Sequence, residues 1–230
     1  MRKLFASHKN AGRFLAGMEA VETPIGGRIG MALFFGPPGT GKTEMAQHYV
    51  AQRDLPYVRA TDITSRRSLL SSIVAELGEA PMFRSDDLFR QAVDHLLEQP
   101  RPLFIDEVDY LMRGGMVEVL RDLNDMTNVP VIMIGMQHAD KSLRRFAHFF
   151  DRITSVVRFE VLDEADVAGM AKQLCEVELD QDACAFIHGN SQGKLRRITM
   201  WFARAEKVAR VNKLETVTAA HLAQANGGGR

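Results

Sequence analysis

The chain has almost no cysteine and no net charge, and each shortage narrows what it can be. Cys175 and Cys184 are its only cysteines. Two are too few for a disulfide framework and their spacing fits no zinc pattern, so a reduced, cytoplasmic setting is expected. Lysine and arginine number 29, as do aspartate and glutamate. The whole molecule is therefore no polycation, and a nucleic-acid surface has to come from local charge asymmetry or from several copies together. No apolar run approaches membrane-spanning length, so no membrane partner is expected. The basic start Met1-Arg2-Lys3-Leu4-Phe5 lacks the long apolar segment of a signal peptide. Internal repeats and low-complexity segments are missing too. What remains is ordinary for a soluble globular protein: 230 residues, 46% hydrophobic and 25% charged, enough for a large domain or a core with a small appendage.

The stretch around which the chain is organised is Gly36-Pro37-Pro38-Gly39-Thr40-Gly41-Lys42-Thr43. It follows the apolar run Met31-Ala32-Leu33-Phe34-Phe35 and precedes a helical pattern, Glu44 to Gln52. Strand, glycine-rich turn and helix come in the order and spacing of the phosphate-binding loop, G-x-x-x-x-G-K-[ST]. Gly36, Gly39 and Gly41 reach backbone angles closed to other residues, so successive N–H groups can turn inward. Those groups and the N-terminus of the next helix attract a polyphosphate. Lys42 can set its ammonium on the terminal phosphates, and Thr43 offers a hydroxyl to the accompanying Mg²⁺.

Periodicity organises the rest. Phe14, Leu15 and Met18 mark a short helix over Ala11–Met18, within a lead-in of residues 1–30 that ends in a loop at Thr23–Gly27. Strands are expected at Met31–Phe35, Pro56–Ala60, Pro102–Glu107, Val129–Gly135 and Ser155–Phe159. Helices are expected between them at about Ser65–Leu77, Ser85–Glu98, Gly115–Met126 and Ser142–Phe150. Alternating strands and helices imply right-handed crossovers and a parallel sheet. After Val161 the pattern changes to helices alone, at Asp163–Glu178, Gln181–Gly189, Lys194–Lys213 and Thr218–Ala225. The expected organisation is a core at 31–161, a helical domain at 162–226 and a flexible tail at 227–230.

A second motif is Leu103-Phe104-Ile105-Asp106-Glu107. Ligands of open α/β sheets sit at the carboxyl ends of strands, and an apolar strand ending in two carboxylates suits that place. Asp106 would hold Mg²⁺, directly or through water. Glu107 would orient and polarise the water that attacks the γ-phosphate. Asp109 is either a surface acid or a support for this pair.

These motifs, in this order and followed by a helical segment, resemble the AAA+ ATPases over about residues 10–225. The resemblance implies a five-stranded parallel P-loop sheet sandwiched by helices with a small C-terminal helical lid, and an ATP- and Mg²⁺-dependent ATPase. It also implies further site residues. A polar sensor at the end of the fourth strand falls on Gln137, with His138 next to it, where Asn or Thr would be usual. An arginine reaching the neighbouring subunit's nucleotide falls on Arg152, with Arg144 and Arg145 as competitors; such a group stabilises transition-state charge. In Gly193-Lys194-Leu195-Arg196-Arg197, Arg196 would contact the γ-phosphate and tie lid closure to ATP, with Arg197 as the alternative.

Residues 57–78 are similar to those of the transposition ATPases, the target-DNA activator of Mu-like phages and its relatives in Tn7-like transposons. That resemblance implies DNA contacts at Arg59, Thr61, Arg66 and Arg67; hydroxyls and arginines suit phosphates rather than base reading. It implies an ATP-dependent homo-oligomer, a ring or a filament, on duplex DNA, with a transposase as client. The lid adds an acidic stretch, 163–182, and a basic one, 194–213, containing Trp201 and Phe202; the two could serve DNA contact or head-to-tail assembly, while the plainer expectation is a solvated basic face with Trp201 and Phe202 in the core. Two rival readings remain. A protein remodeller or clamp-loader-like switch would act on a protein client without direct DNA contact, the remodeller through an aromatic pore loop for which Tyr110-Leu111-Met112 is the nearest candidate, and a small-molecule kinase would act as a monomer.

Overall fold

The computed structural model describes residues 6–23 and 29–227. The basic start, residues 24–27 of the loop expected over Thr23–Gly27 and the tail beyond Gly227 lie outside the described residues. Eleven helices and seven strands are present among them, in the order α1 (Lys9–Glu22), β1 (Met31–Phe35), α2 (Lys42–Arg53), β2 (Tyr57–Arg59), α3 (Arg66–Glu76), α4 (Ser85–Glu98), β3 (Leu103–Asp106), α5 (Val117–Thr127), β4 (Val131–Gly135), α6 (Ala139–Leu143), α7 (Ala147–Phe150), β5 (Ile153–Arg158), α8 (Glu164–Leu174), β6 (Glu178–Leu179), α9 (Gln181–Ser191), α10 (Leu195–Asn212), β7 (Thr216–Val217) and α11 (Ala219–Gly227). Two compact units result. One comprises Arg13–Gly36 and Lys42–Phe159; the other comprises Pro37–Gly41 and Glu160 onward, with the residues up to Gly12.

The first unit is an α/β fold around a five-stranded parallel sheet ordered β2-β3-β4-β1-β5. Every residue of β1, β3 and β4 is buried, as strands covered on both faces by helices require. The edge strand β5 alternates instead, with Ser155 inward and Thr154, Val156 and Arg158 outward. Leu69, Leu70, Ile73 and Val74 of α3 and Leu88, Ala92, Val93 and Leu96 of α4 supply apolar stripes to the core. Phe14, Met18 and Val21 bury one face of α1. Leu15, expected on that face, is 54% exposed.

Three expected elements differ, each for a local reason. The helix expected over Ser142–Phe150 is two short helices, α6 and α7. Leu143 and Phe149 are both fully buried, yet at 100° per residue they lie about 120° apart around one helix. A break between them lets both reach the core. The helix expected from Gly115 starts at Val117, because Gly114 and Gly115 both have positive φ and end a 3-10 turn that begins at Val108. Strand β5 starts at Ile153 rather than Ser155, since Met31 donates to the Arg152 carbonyl and pairs with Ile153. Tyr110-Leu111-Met112 is no pore loop: Leu111 is fully buried and the other two pack against the core.

In the second unit, α8 to α11 enclose a core that includes Leu162, Ile187, Ile198, Phe202 and Leu222. Trp201 and Phe202 belong to this core, the plainer of the two expectations for them. The unit is not all helix. The linkers before α9 and α11 run parallel as β6 and β7, which gives partners to backbone groups around the fully buried Val217. The first helix is also shorter than expected, ending at Leu174 where Cys175 turns extended. Residues 7–10 are tied to the same unit. Ser7 and Gln173 exchange side-chain–backbone hydrogen bonds, Lys9 bridges Asp163 and Asp166, and buried Asn10 bonds both backbone groups of Glu160.

Gly193 follows Gln192 as a second consecutive residue with positive φ, and a Cβ on it would lie 2.2 Å from the Leu162 carbonyl oxygen. Gly193→Ala is expected to cost about 2 kcal/mol or more through backbone strain and this clash. A drop in the chemical-denaturation midpoint measures it; an unchanged midpoint would contradict the tight approach.

Candidate functional site

In the first unit, β3 ends in a carboxylate that the fold surrounds with donors. Asp106 is 1% exposed, and a buried charge needs hydrogen bonds. Its Oδ1 accepts the Glu107 N–H at 2.8 Å. Its Oδ2 accepts the Thr43 hydroxyl at 3.0 Å and the Tyr57 hydroxyl at 2.6 Å. Thr43 comes from the start of α2, Tyr57 from the start of β2. Burial and the bond to Asp106 push the Tyr57 phenol well above its ordinary value, so it stays protonated and donates. Tyr57 was not singled out in the sequence; its position beside β3, opposite Phe104 in register, was the available signal.

Glu107 takes a left-handed backbone, φ 57° and ψ 42°, at a cost of about 1–3 kcal/mol for a residue with a Cβ. The conformation holds because its N–H bonds Asp106 and its carbonyl accepts the Tyr110 N–H. The turn throws the side chain out of the strand, where Arg59 Nη2 meets Glu107 Oε1 at 3.1 Å. Arg59, expected on DNA, is thus directed at the carboxylate of the second motif. Asp109 accepts the Met136 N–H at 2.6 Å and so supports the carboxyl end of β4. Gln137 follows as an exposed turn residue; among the described residues no hydrogen bond links it to Asp106 or Glu107.

Lys42 opens α2 and donates to the Gly36 carbonyl at 2.8 Å. Burial lowers its ammonium pKa against the pull of Glu107, Asp106 and Asp109. Gly36 has φ 153°, and a Cβ there would lie 2.4 Å from the Phe159 carbonyl oxygen. The crest of the loop, Pro37–Gly41, belongs to the second unit. There the buried Thr40 donates to the Pro37 carbonyl, Asn10 donates to the Thr40 carbonyl, and the Arg196 N–H meets the Gly39 carbonyl at 3.4 Å. The Arg196 side chain is exposed, whereas Arg197 reaches Gln192.

The remaining sequence candidates lie on the surface of the first unit. Arg152 is held by Asp125 at 2.9 Å, and that hydrogen bond raises its pKa further. Arg144 lies over the Phe150 ring, and Arg145 is exposed with no ion pair among the described residues. Thr61 is bonded to Thr64. Arg66 donates to the Gly114 carbonyl and Arg67 to that of Phe83.

The structure brings together Thr43, Asp106 and Glu107, and adds Tyr57, Arg59 and Asp109 to them. Thr43 and Asp106 are neighbouring hard oxygen donors, the kind Mg²⁺ takes alongside phosphate oxygens, so these residues fit that ion. Tyr57→Phe is expected to destabilise the fold by about 1.5–3 kcal/mol, the range for a hydrogen bond to a charged group. Urea unfolding of the two proteins measures it, and equal stability would show the bond to be dispensable.

Comparison with known proteins bears on the family and the fold. The sequence model of a family described as an AAA domain matches residues 27–143. The replication factor C large subunit of Aeropyrum pernix is 26% identical over 168 residues, covering 72% of this chain and 32% of that protein. That of Thermofilum pendens is 22% identical over 174 residues, covering 72% and 38%. The chain thus spans about a third of the length of these relatives. Among solved structures, the Aeropyrum pernix ORC1 protein in complex with DNA superimposes with a TM-score of 0.67 at 17% identity, covering 98% of this chain and 66% of that one. The Thermotoga maritima RuvB Holliday junction branch migration motor gives 0.62 at 18%, covering 96% and 68%.

Proposed function

The chain belongs to the AAA domain family, and from that premise we propose that it is an ATP-driven switch that assembles on duplex DNA without reading sequence. The observation that carries the ATPase half is the cluster of Thr43, Asp106 and Glu107, with Glu107 held in a strained turn at the end of β3. Gly36–Thr43 cradles the phosphates, and Lys42 neutralises them. Thr43 and Asp106 would hold Mg²⁺, which when bound supplies charge neutralisation on the phosphate oxygens. Glu107 orients the attacking water and draws its proton as the bond to the leaving ADP breaks. While Arg59 occupies one oxygen of that carboxylate, the oxygen is not open to a water, so the pair acts as a restraint on turnover. Arg196 reports the nucleotide to the lid.

Arg152 is the proposed contribution to a neighbouring subunit's nucleotide, released from Asp125 on assembly; Arg144 and Arg145 are the competitors. The DNA half is supported by Arg66 and Arg67, which are held by neutral carbonyls and have no ion pair among the described residues. The same fold is found with DNA in the ORC1 structure, which makes duplex DNA the partner to test first. A transposase as client rests on the sequence resemblance of residues 57–78. The protein-remodelling reading loses its pore-loop candidate to the core.

Glu107→Gln is expected to bind ATP normally while turnover falls about 100-fold or more. Arg59→Ala is expected to raise turnover without DNA several-fold. Steady-state phosphate release checks both, and wild-type turnover in Glu107→Gln would remove the base assignment. Arg152→Ala is expected to keep ATP binding by isolated subunits and to lose about 1000-fold in assembled turnover. If Arg145→Ala shows that loss instead, the role moves to Arg145.

A further inference from the structure

Ile63 is 91% exposed, the most exposed of the large hydrophobic residues described. Folding gains nothing from an isoleucine placed there, since its apolar surface stays in water. Nor does it hang on a loose loop. It sits at the crown of a turn closed by the Thr64 N–H on the Thr61 carbonyl, and the Thr61 and Thr64 hydroxyls brace that turn. Asp62, next to it, is tied to Arg113, and Arg66, three residues on, is anchored to the carbonyl of Gly114. The tip is therefore fixed from both sides before any partner arrives, which lowers the ordering cost of insertion.

The surroundings say what such a tip meets. The turn, the first residues of α3 and Arg113 carry Arg66, Arg67 and Arg113 against the single carboxylate of Asp62, while Arg84 is followed by Asp86 and Asp87 at the start of α4. Asp62 is spent on Arg113, whereas Arg66 and Arg67 have no ion pair among the described residues. Arg67 is oriented by the Phe83 carbonyl and by the Phe83 ring beneath it, 4.8 Å away, which gives that exposed phenylalanine a task. Ser65 and Ser68 are consumed in capping α3, so the charge for a ligand comes from the guanidiniums. An apolar side chain standing among positioned arginines and hydroxyls is matched to a polyanion with an apolar interior.

We infer that Ile63 is a wedge that enters a base step of duplex DNA while Arg66 and Arg67 hold flanking phosphates. Inserted apolar side chains partly unstack a step and kink the duplex, and the phosphate contacts set the wedge's depth and register. The inference rests on the DNA-binding reading above and adds to it that binding deforms the duplex.

The test uses the full chain with a non-hydrolysable ATP analogue at low salt and a duplex carrying 2-aminopurine, whose fluorescence rises on unstacking. Binding is followed separately by anisotropy of an end label. Wild type is expected to bind and to raise the 2-aminopurine signal several-fold. Ile63→Ala is expected to bind with affinity within about twofold and an unchanged salt slope, yet to lose that rise. Arg66→Ala/Arg67→Ala is expected to weaken binding and to reduce the salt slope by about 2. Saturating wild-type binding with no fluorescence change, or a rise that survives Ile63→Ala, overturns the wedge and leaves the DNA reading standing. No anisotropy change for wild type overturns both. If Ile63→Ala instead abolishes ATP-dependent self-assembly in the absence of DNA, Ile63 is a contact between copies and the wedge is overturned.

Discussion

A buried carboxylate is the constraint on which the candidate site depends. Asp106 cannot keep its charge in the core without donors, and the fold supplies them from three places in the chain: its own turn, the start of α2 and the start of β2. The last residue of β3 thereby fixes where the phosphate-binding loop enters its helix and where the edge strand begins. The same bond from the Glu107 amide stabilises the left-handed turn that turns Glu107 out of the strand. One desolvated charge so places both a potential cation ligand and a potential base.

Charge in this molecule is a matter of local pairing rather than of totals. The sum is zero, yet the arginines differ sharply in what they face. Arg59 is spent on Glu107 and Arg152 on Asp125. Arg66 and Arg67 are positioned by carbonyl oxygens and have no ion pair among the described residues. An arginine paired with a carboxylate is a restraint or a tether; one paired with a carbonyl is an oriented cation. That difference separates the residues suited to control hydrolysis from those suited to phosphate contact.

The second unit is assembled from segments far apart in sequence. The crest of the phosphate-binding loop groups with the C-terminal helices, where Gly39 accepts the backbone N–H of Arg196. Residues 7–10 join that unit through Ser7, Lys9 and Asn10. Asn10 touches both Thr40 and Glu160, so a single buried amide links the loop crest to the chain just after β5.

Much of this was legible in the residues. The apolar runs at 31–35, 103–106 and 131–135 announced strands buried on both faces, because a parallel strand under helices has no polar side to show. The glycine spacing of 36–41 announced the phosphate-binding loop, and the Asp-Glu pair after an apolar strand announced carboxylates at a strand end, because both are residue types at fixed local offsets. Side-chain pairing across the chain was not legible. Tyr57 on Asp106, Arg59 on Glu107, Arg152 on Asp125 and the β6–β7 ladder join residues between 27 and 49 positions apart, and no local pattern records such distances. The break between α6 and α7 was hidden because Leu143 and Phe149 both read as apolar, and only the position of the core decided that both must face it. The sequence by itself determined the sheet, the phosphate-binding loop and the carboxylate pair, since each is written in contiguous periodicity or spacing. Only the tertiary structure decided which arginine meets a carboxylate and which is left facing out, since that depends on which strands and helices become neighbours.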